Sequence, residues 1–446
     1  MTSVPAVSPT GSVPALPAPT GRFDADHTAL RLHIAHTDRL LGLLPPRPAR
    51  DRAQAERAAA LHEARRTGRH DFLARHAPQA YEVLTDGRTV RRRLPDLVRQ
   101  AQTRLPGLVP TAAQLADDHS RIQAHKEGHE VDLGVFFGAL LRSSPAGNHL
   151  IDTMLHPAPG SRDRLGDFRR HDVVELDTVT VRRHGPAAHV TFRNGHCLNA
   201  EDNRLIADME TAVDLALLDE RVRVGVLRGG PVDHPRYSGR RVFSAGINLK
   251  DLRNGAISYT DFLLGRELGY VNKLAHGLLT PDTGWSAPAA VHKPWVAAVD
   301  SFAIGGGMQL LLVVDRVLAA EGAFFSLPAA DEGIVPGLGN LRLTRLTGAR
   351  LARQVLLSGR RLRAGEAGAE LVCDEVVPAD RLSDAVDRAV AELAAPAVVA
   401  NRAMLTLAEE PRETLRSYLA EFAVVQAERI YSPDVLDRVE RRWARP

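Results

Sequence analysis

Two short stretches hold residues whose types and spacing suit chemistry at a carbonyl. One is Ser301-Phe302-Ala303-Ile304-Gly305-Gly306-Gly307-Met308-Gln309, between an apolar strand-like run, 295–299, and an apolar helical run, 310–314. Glycines at a strand-to-helix junction let the backbone approach a ligand closely and leave the first helical N–H groups free to face it. The other is Arg241-Val242-Phe243-Ser244-Ala245-Gly246-Ile247-Asn248-Leu249, where a strand-like Arg-Val-Phe breaks at Ala245-Gly246 and the turn can aim the Ile247 N–H into a cleft. Brought to one oxygen, the N–H groups of Ile247 and Gly306 make an oxyanion hole, each donor worth about 3 kcal/mol to a transition state. Alone, either stretch is an ordinary turn or packing feature; their order in one chain is what makes the pair specific. Gln309 adds a second clue. A neutral amide stands where a catalytic carboxylate is expected, and an amide cannot act as a general base.

The elements that must hold these turns follow from periodicity. Residues 1–20, rich in Pro, Ser, Thr, Ala and Val and without a charged side chain, predict a flexible tail. From 21 to 170 the pattern is helical, over 28–43, 51–67, 94–103 and 111–124, with Pro and Gly between. Near His171 the pattern changes. Runs 173–176, 179–181 and 188–192 read as strands, followed by a helix over 200–218 with Leu205, Ile206, Met209, Val213 and Leu217 at helical spacing. Further strands are predicted at 222–227, 295–299 and 316–320, and beyond Pro378 the chain is helical again. The fold class expected is α/β, a β-β-α core over 171–385 between a helical domain, 21–170, and a C-terminal helical region, 386–446.

Composition removes several classes of function. Apolar residues at 44% and charged residues at 25% are ordinary for a soluble globular protein. Lys plus Arg number 57 against 54 Asp plus Glu, which gives nucleic-acid binding no support. The run Arg91-Arg92-Arg93 reads as a solvated helix face. No apolar run approaches the ~20 residues that span a bilayer, and the first twenty residues lack the charged and apolar regions of a signal peptide. With only Cys197 and Cys373, a disulfide framework is excluded and a reducing, cytoplasmic location is expected. His125 and His129 lie four apart, but Glu127 is misplaced for a zincin and no third ligand is evident, so surface histidines are expected and no metal site. Neither cysteine has a neighbouring base, and no His or Lys is placed to activate Ser244.

Val190-Thr191-Phe192-Arg193 with Leu198-Asn199-Ala200, then Phe243 to Leu249, then 296–299 through Gly305-Gly306-Gly307, then Phe325-Ser326-Leu327-Pro328 and Gly333-Ile334-Val335-Pro336-Gly337, resemble in order the crotonase (enoyl-CoA hydratase/isomerase) superfamily. The resemblance covers the chain from about Val173 onward. It implies a spiral of β-β-α turns, acyl-CoA binding, a homotrimer or homohexamer, and an enolate held by the Ile247 and Gly306 N–H groups. Hydratases carry two glutamates, at the positions that are Gln309 and Ala329 here, and Asp331 and Glu332 are out of register with the second. Water addition is therefore not expected. The helical N-terminal region, Ser-Ala-Gly-Ile-Asn-Leu and Gly-Gly-Gly-Met-Gln are similar to the superfamily's cofactor-independent dioxygenases, which act on 3,5-dihydroxyphenylacetyl-CoA in glycopeptide-antibiotic biosynthesis.

That resemblance implies 3,5-dihydroxyphenylglyoxylate and free CoA as products, molecular oxygen as co-substrate, CoA as part of the substrate, and no metal, flavin or haem. It implies three polar side chains for the substrate: Glu201, Arg266 and Gln309. Each has a plainer reading, respectively a charge at a helix N-terminus, a surface ion pair and a capping amide. Arg241 is expected on the CoA phosphates. The rival readings are a crotonase-type hydrolase or decarboxylase acting on an arylacetyl-CoA, and a non-catalytic assembly partner.

Overall fold

The computed structural model describes residues 16–280 and 290–443, so most of the expected tail lies outside the described residues. The chain divides into two compact units. The first takes the chain through Leu150, together with Arg253–Gly255 and Leu419–Tyr431; the second takes Ile151–Leu252, Ala256–Tyr418 and the residues from Ser432.

The first unit is helical. Its helices include Phe23–Leu41, Arg52–Thr85, Leu94–Arg104, Ala112–His119 and His129–Arg142. The longest starts at a capping box: Asp51 accepts from the Gln54 N–H (2.8 Å) and Gln54 Oε1 from the Asp51 N–H (3.1 Å). It runs past Gly68 and Pro78, well beyond the end at 67 that the sequence suggests. Gly68 interrupts the periodicity for a packing reason, since a Cβ there would lie 3.2 Å from the His33 ring of helix Phe23–Leu41. The apolar stripe continues through Phe72, Leu73, Ala77, Tyr81 and Leu84, all buried.

Two surface expectations are corrected in this unit. Arg91, Arg92 and Arg93 lie in the loop before helix Leu94–Arg104, not on a helix face, and Arg92 donates to the Leu84 carbonyl (2.8 Å). His125 is exposed as expected, but His129 is buried and its ring nitrogen lies 3.4 Å from Arg65 Nη2. Burial, then Arg65, pushes His129 down to about 3, so it is neutral at physiological pH.

The second unit is α/β. A seven-stranded sheet runs in the order Val173–Glu175, Val179–His184, Ala187–Phe192, Val224–Gly229, Trp295–Val299, Arg316–Ala320, Glu375–Val377. The first two pairings are antiparallel and the rest parallel. Trp295–Val299 is buried on both faces, which is why it reads as an unbroken apolar run. A smaller sheet joins Phe302–Ile304, Phe324–Ser326 and Leu362–Arg363. The β-β-α turn is explicit: Trp295–Val299, Phe302–Ile304, then helix Gly306–Leu311; Arg316–Ala320, Phe324–Ser326, then helix Ala329–Glu332. Val226, Val296, Ala298 and Leu318 form a core with Leu382, Ala385 and Val386 of helix Leu382–Leu393.

Local differences from the sequence reading concern short elements. The helix expected from 310 begins at Gly306, because Gly305, at φ +55, turns the chain into it at once. Arg241 to Ser244 forms only isolated bridges, Pro231 with Arg241 and Ser244 with Ala303. Among the described residues no single helix is long and apolar enough to cross a membrane.

Candidate active site

The two predicted turns lie side by side. The Phe243 N–H donates to the Phe302 carbonyl (3.2 Å) and the Ile304 N–H to the Ser244 carbonyl (2.9 Å). A Cβ built on Gly246, at φ +86, would sit 3.1 Å from Ile304 O and 3.4 Å from Gly306 N, so only glycine allows this approach. Glu201 enters from a third segment and pairs with Ile247 as a parallel bridge. Its N–H donates to Gly246 O (2.7 Å), and its carbonyl accepts from the Asn248 N–H (2.8 Å). These bonds use the groups flanking Ile247 and leave its own N–H turned elsewhere. Neither the Ile247 nor the Gly306 N–H donates to another described residue. Both amides are available to a ligand oxygen, as an oxyanion hole requires.

Behind these amides lies a buried charged group. Arg266, on the short helix Leu264–Leu268, is 3% exposed, as are Glu201 and Glu267. Its Nε donates to both Glu201 oxygens (3.1 Å), and Nη2 donates to Glu201 Oε1 (3.1 Å) and to the Gly306 carbonyl (2.9 Å). Nη1 donates to Glu267 Oε1 (2.6 Å) and Gln309 Oε1 (2.9 Å). The Tyr270 hydroxyl donates to Glu201 Oε1 (2.7 Å). Burial lowers the affinity of Arg266 for its proton, but Glu201, Tyr270 and Glu267 more than reverse this, and it is held above the usual arginine range. Burial pushes Tyr270 well above its usual value; Arg266 opposes the shift and Glu201 adds to it.

Glu201, Arg266, Gln309, Gly306 and Ile247 are thus brought together. Glu201 precedes its helix, which starts at Asn203 with Asp202 as the capping residue (Leu205 N–H to Asp202 Oδ1, 2.8 Å). Arg266 spends every donor inside the protein, so its direct product is the orientation of its neighbours. Because a guanidinium only donates, the oxygen of Gln309 must face it, and the Gln309 amide N–H groups point away from it. Gly306 has no room for a side chain: a Cβ would lie 1.8 Å from Glu201 Oε2.

Arg241 stands apart from this group, with Nη1 donating to the Gly229 carbonyl (3.1 Å). Ala329 is buried at the start of its helix, while Asp331 is exposed and faces Gly359. Ser244 Oγ accepts from the Gly246 N–H (3.1 Å) and shapes the turn. Burial pushes the Cys197 and Cys373 thiols up to about 11, far from a reactive thiolate. Among the described residues no three His, Cys, Asp or Glu side chains are grouped to hold a metal.

Sequence reasoning missed Glu267 and Tyr270. A signal was present: Arg266, Glu267 and Tyr270 interrupt the run of Phe262, Leu263, Leu264, Leu268, Val271 and Leu274, all of which are buried.

Residues 183–430 match the family model described as enoyl-CoA hydratase/isomerase. A (3,5-dihydroxyphenyl)acetyl-CoA 1,2-dioxygenase from Amycolatopsis orientalis is 52% identical over 414 residues, 93% of this chain and 95% of that protein. A probable enoyl-CoA hydratase from Rhizobium meliloti (strain 1021) is 31% identical over 260 residues, 56% of this chain and 91% of that protein. Among solved structures, an enoyl-CoA hydratase from Mycobacterium avium subsp. paratuberculosis K-10 superposes with a TM-score of 0.50 at 24% identity, covering 60% of this chain and 99% of that one. That likeness speaks to the fold alone.

Proposed function

This chain belongs to the enoyl-CoA hydratase/isomerase family, and from that premise we propose that it is an enzyme of one branch, a dioxygenase acting on 3,5-dihydroxyphenylacetyl-CoA. The observation that carries the reading is Gln309, held by Arg266 beside the free amides of Ile247 and Gly306, in a chain 52% identical to such a dioxygenase. The site keeps the means to stabilise an enolate and lacks the carboxylates that add water.

The reaction follows from that inventory. Loss of the benzylic α-proton leaves a carbanion delocalised into the ring and the thioester, and its enolate oxygen sits on the Ile247 and Gly306 N–H groups. The enolate passes one electron to dioxygen, and recombination of the radical pair forms a C–O bond, giving a peroxide on the α-carbon. The distal peroxide oxygen attacks the thioester carbonyl and expels CoA. Loss of the second α-proton with O–O cleavage yields 3,5-dihydroxyphenylglyoxylate. All four electrons that reduce dioxygen come from the substrate, so the proposed reaction uses no metal, flavin or haem. Glu201 serves the ring hydroxyls, the Gln309 amide donates to the substrate or peroxide oxygen, Arg266 fixes both, and Arg241 is assigned to the CoA phosphates. The assembly proposed is a homotrimer or homohexamer, after the family.

The test is to incubate metal-free protein with 3,5-dihydroxyphenylacetyl-CoA and follow oxygen uptake and CoA release together. Equal amounts of both are expected. CoA release without oxygen uptake would instead make the protein a hydrolase, and neither signal would make it a non-catalytic partner.

A further inference from the structure

We propose that Glu267 is a positioning residue of this site, which fixes the Arg266 guanidinium and the turn beside Gln309 so that Gln309 meets the substrate as a hydrogen-bond donor. The inference rests on the function proposed above.

Glu267 uses its two oxygens on different elements. Oε1 accepts from Arg266 Nη1 (2.6 Å), and Oε2 accepts from the Leu338 N–H (3.1 Å). The turn before Leu338 sits tightly on it, since a Cβ on Gly337 would lie 2.2 Å from the Glu267 carboxyl carbon. The turn is also held from outside by the Tyr418 hydroxyl, which donates to the Gly337 carbonyl (3.0 Å). One residue further on, a Cβ on Gly339 would lie 3.4 Å from Gln309 Cγ. Gln309 is therefore bonded to Nη1 of Arg266 and has this turn as a close neighbour, and both Arg266 and the turn are tied to the same carboxylate.

Charge supports a role beyond neutralisation. Glu201 already pairs with Arg266, and the nearby Arg342 is taken by Glu410 (2.8 and 2.9 Å). Glu267 is thus a second carboxylate on a guanidinium that Glu201 already pairs, so neutralising Arg266 does not by itself call for it. What it adds is direction. With Nη1 pinned by Glu267, its second N–H is aimed at Gln309 Oε1. Released, the carboxamide is free to flip and offer its oxygen, which repels an enolate or peroxide oxygen.

A double-mutant cycle tests this with Glu267→Gln and Gln309→Leu, read by oxygen uptake. The glutamine has one acceptor oxygen and cannot serve both Arg266 and the Leu338 N–H. Glu267→Gln is expected to lower kcat by about 10- to 100-fold, the size of a buried donor left unpaired, with KM changed less than about threefold. The double variant is expected to stay within about twofold of Gln309→Leu alone, because both changes break one chain of contacts. Effects that multiply, or a Glu267→Gln enzyme as fast as the unaltered one, would overturn the proposal. Should Glu267→Gln not fold, Glu267→Asp, which keeps the charge and withdraws the carboxylate, takes its place in the cycle with the same expectation. Lack of oxygen uptake by the unaltered protein would count against the proposed function rather than against Glu267, and the cycle would then be read on CoA release. With neither signal, both proposals fall.

Discussion

Arg266 shows how much a single side chain can organise when it is fully enclosed. It donates to Glu201, Glu267, Gln309 and the Gly306 carbonyl, so it joins three distant stretches of chain at one point. Its removal would strand two buried carboxylates. Arg266→Met is expected to lower stability by about 3–5 kcal/mol in urea unfolding, the cost of breaking a buried ion pair from one side. A deficit below about 1 kcal/mol would mean that both carboxylates are solvated in the variant and the enclosure is not tight. Gly306 gives a second test at this scale. Its missing side chain is the space that Glu201 Oε2 occupies, so Gly306→Ala is expected to cut turnover at least about 100-fold, the loss typical of one displaced oxyanion donor. Turnover in that variant within a few-fold of the parent would show that Glu201 moves freely.

Elements were legible where their pattern is local. The parallel strands announce themselves as apolar runs, and the two glycine turns mark where extended chain gives way to helix, Gly305 before Gly306–Leu311 and Gly246 shortly before Leu249–Arg253. Helix Arg52–Thr85 was cut short because Gly68 signals a stop, whereas the glycine makes room for a neighbouring helix. The strands of the smaller sheet, two or three residues each, are too short to show a period. At the site, the spacing exposed the two amides and Gln309, but that Glu201 and Arg266 bind each other depends on a contact across 65 positions, which no local pattern encodes. Glu267 shows locally only as a polar break in an apolar run, and its bond to the Leu338 N–H spans 71 positions. Lys293 illustrates the long-range tie between elements: from just before strand Trp295–Val299 it donates to the Ala216 and Asp219 carbonyls (2.7 Å each) and so closes the end of helix Asn203–Leu218. Burial, opposed by Asp219, pushes its pKa from 10.5 down to about 7. Between those values the unfolded chain holds a proton that the folded chain lacks, so this group makes stability rise with pH across that window. Lys293→Met should remove the rise. Between pH 7 and 9 the unfolding free energy of the parent is expected to gain about 2 kcal/mol relative to the variant; parallel pH profiles would show that the ammonium is solvated.

At the scale of the whole molecule, the helical unit is not a segment that can be cut away at one point in the sequence. Leu419–Tyr431 belongs to it although the rest of the neighbouring chain belongs to the other unit. The bonds that place it there come from far along the chain: Gln123 Nε2 donates to the Ile430 carbonyl (3.1 Å) and the Tyr431 hydroxyl to Glu130 Oε2 (2.7 Å). Its apolar side chains, Leu419, Phe422, Ala423, Ala427 and Ile430, are all buried. A chain that starts after Leu150 would lose the helices that complete this unit while keeping the segment that needs them. That segment is continuous with helix Arg412–Arg429, so its exposed apolar face cannot simply be shed. Such a face, left in water, favours association over folding. Deletion of residues 1–150 is therefore expected to give aggregated protein without oxygen uptake, whereas the same deletion combined with replacement of Leu419, Phe422 and Ile430 by polar residues is expected to restore solubility. Size-exclusion chromatography with light scattering on the two variants decides it. A soluble, monodisperse and oxygen-consuming product from the first deletion alone would show that Leu419–Tyr431 finds other cover, and that the helical unit is dispensable for both folding and turnover.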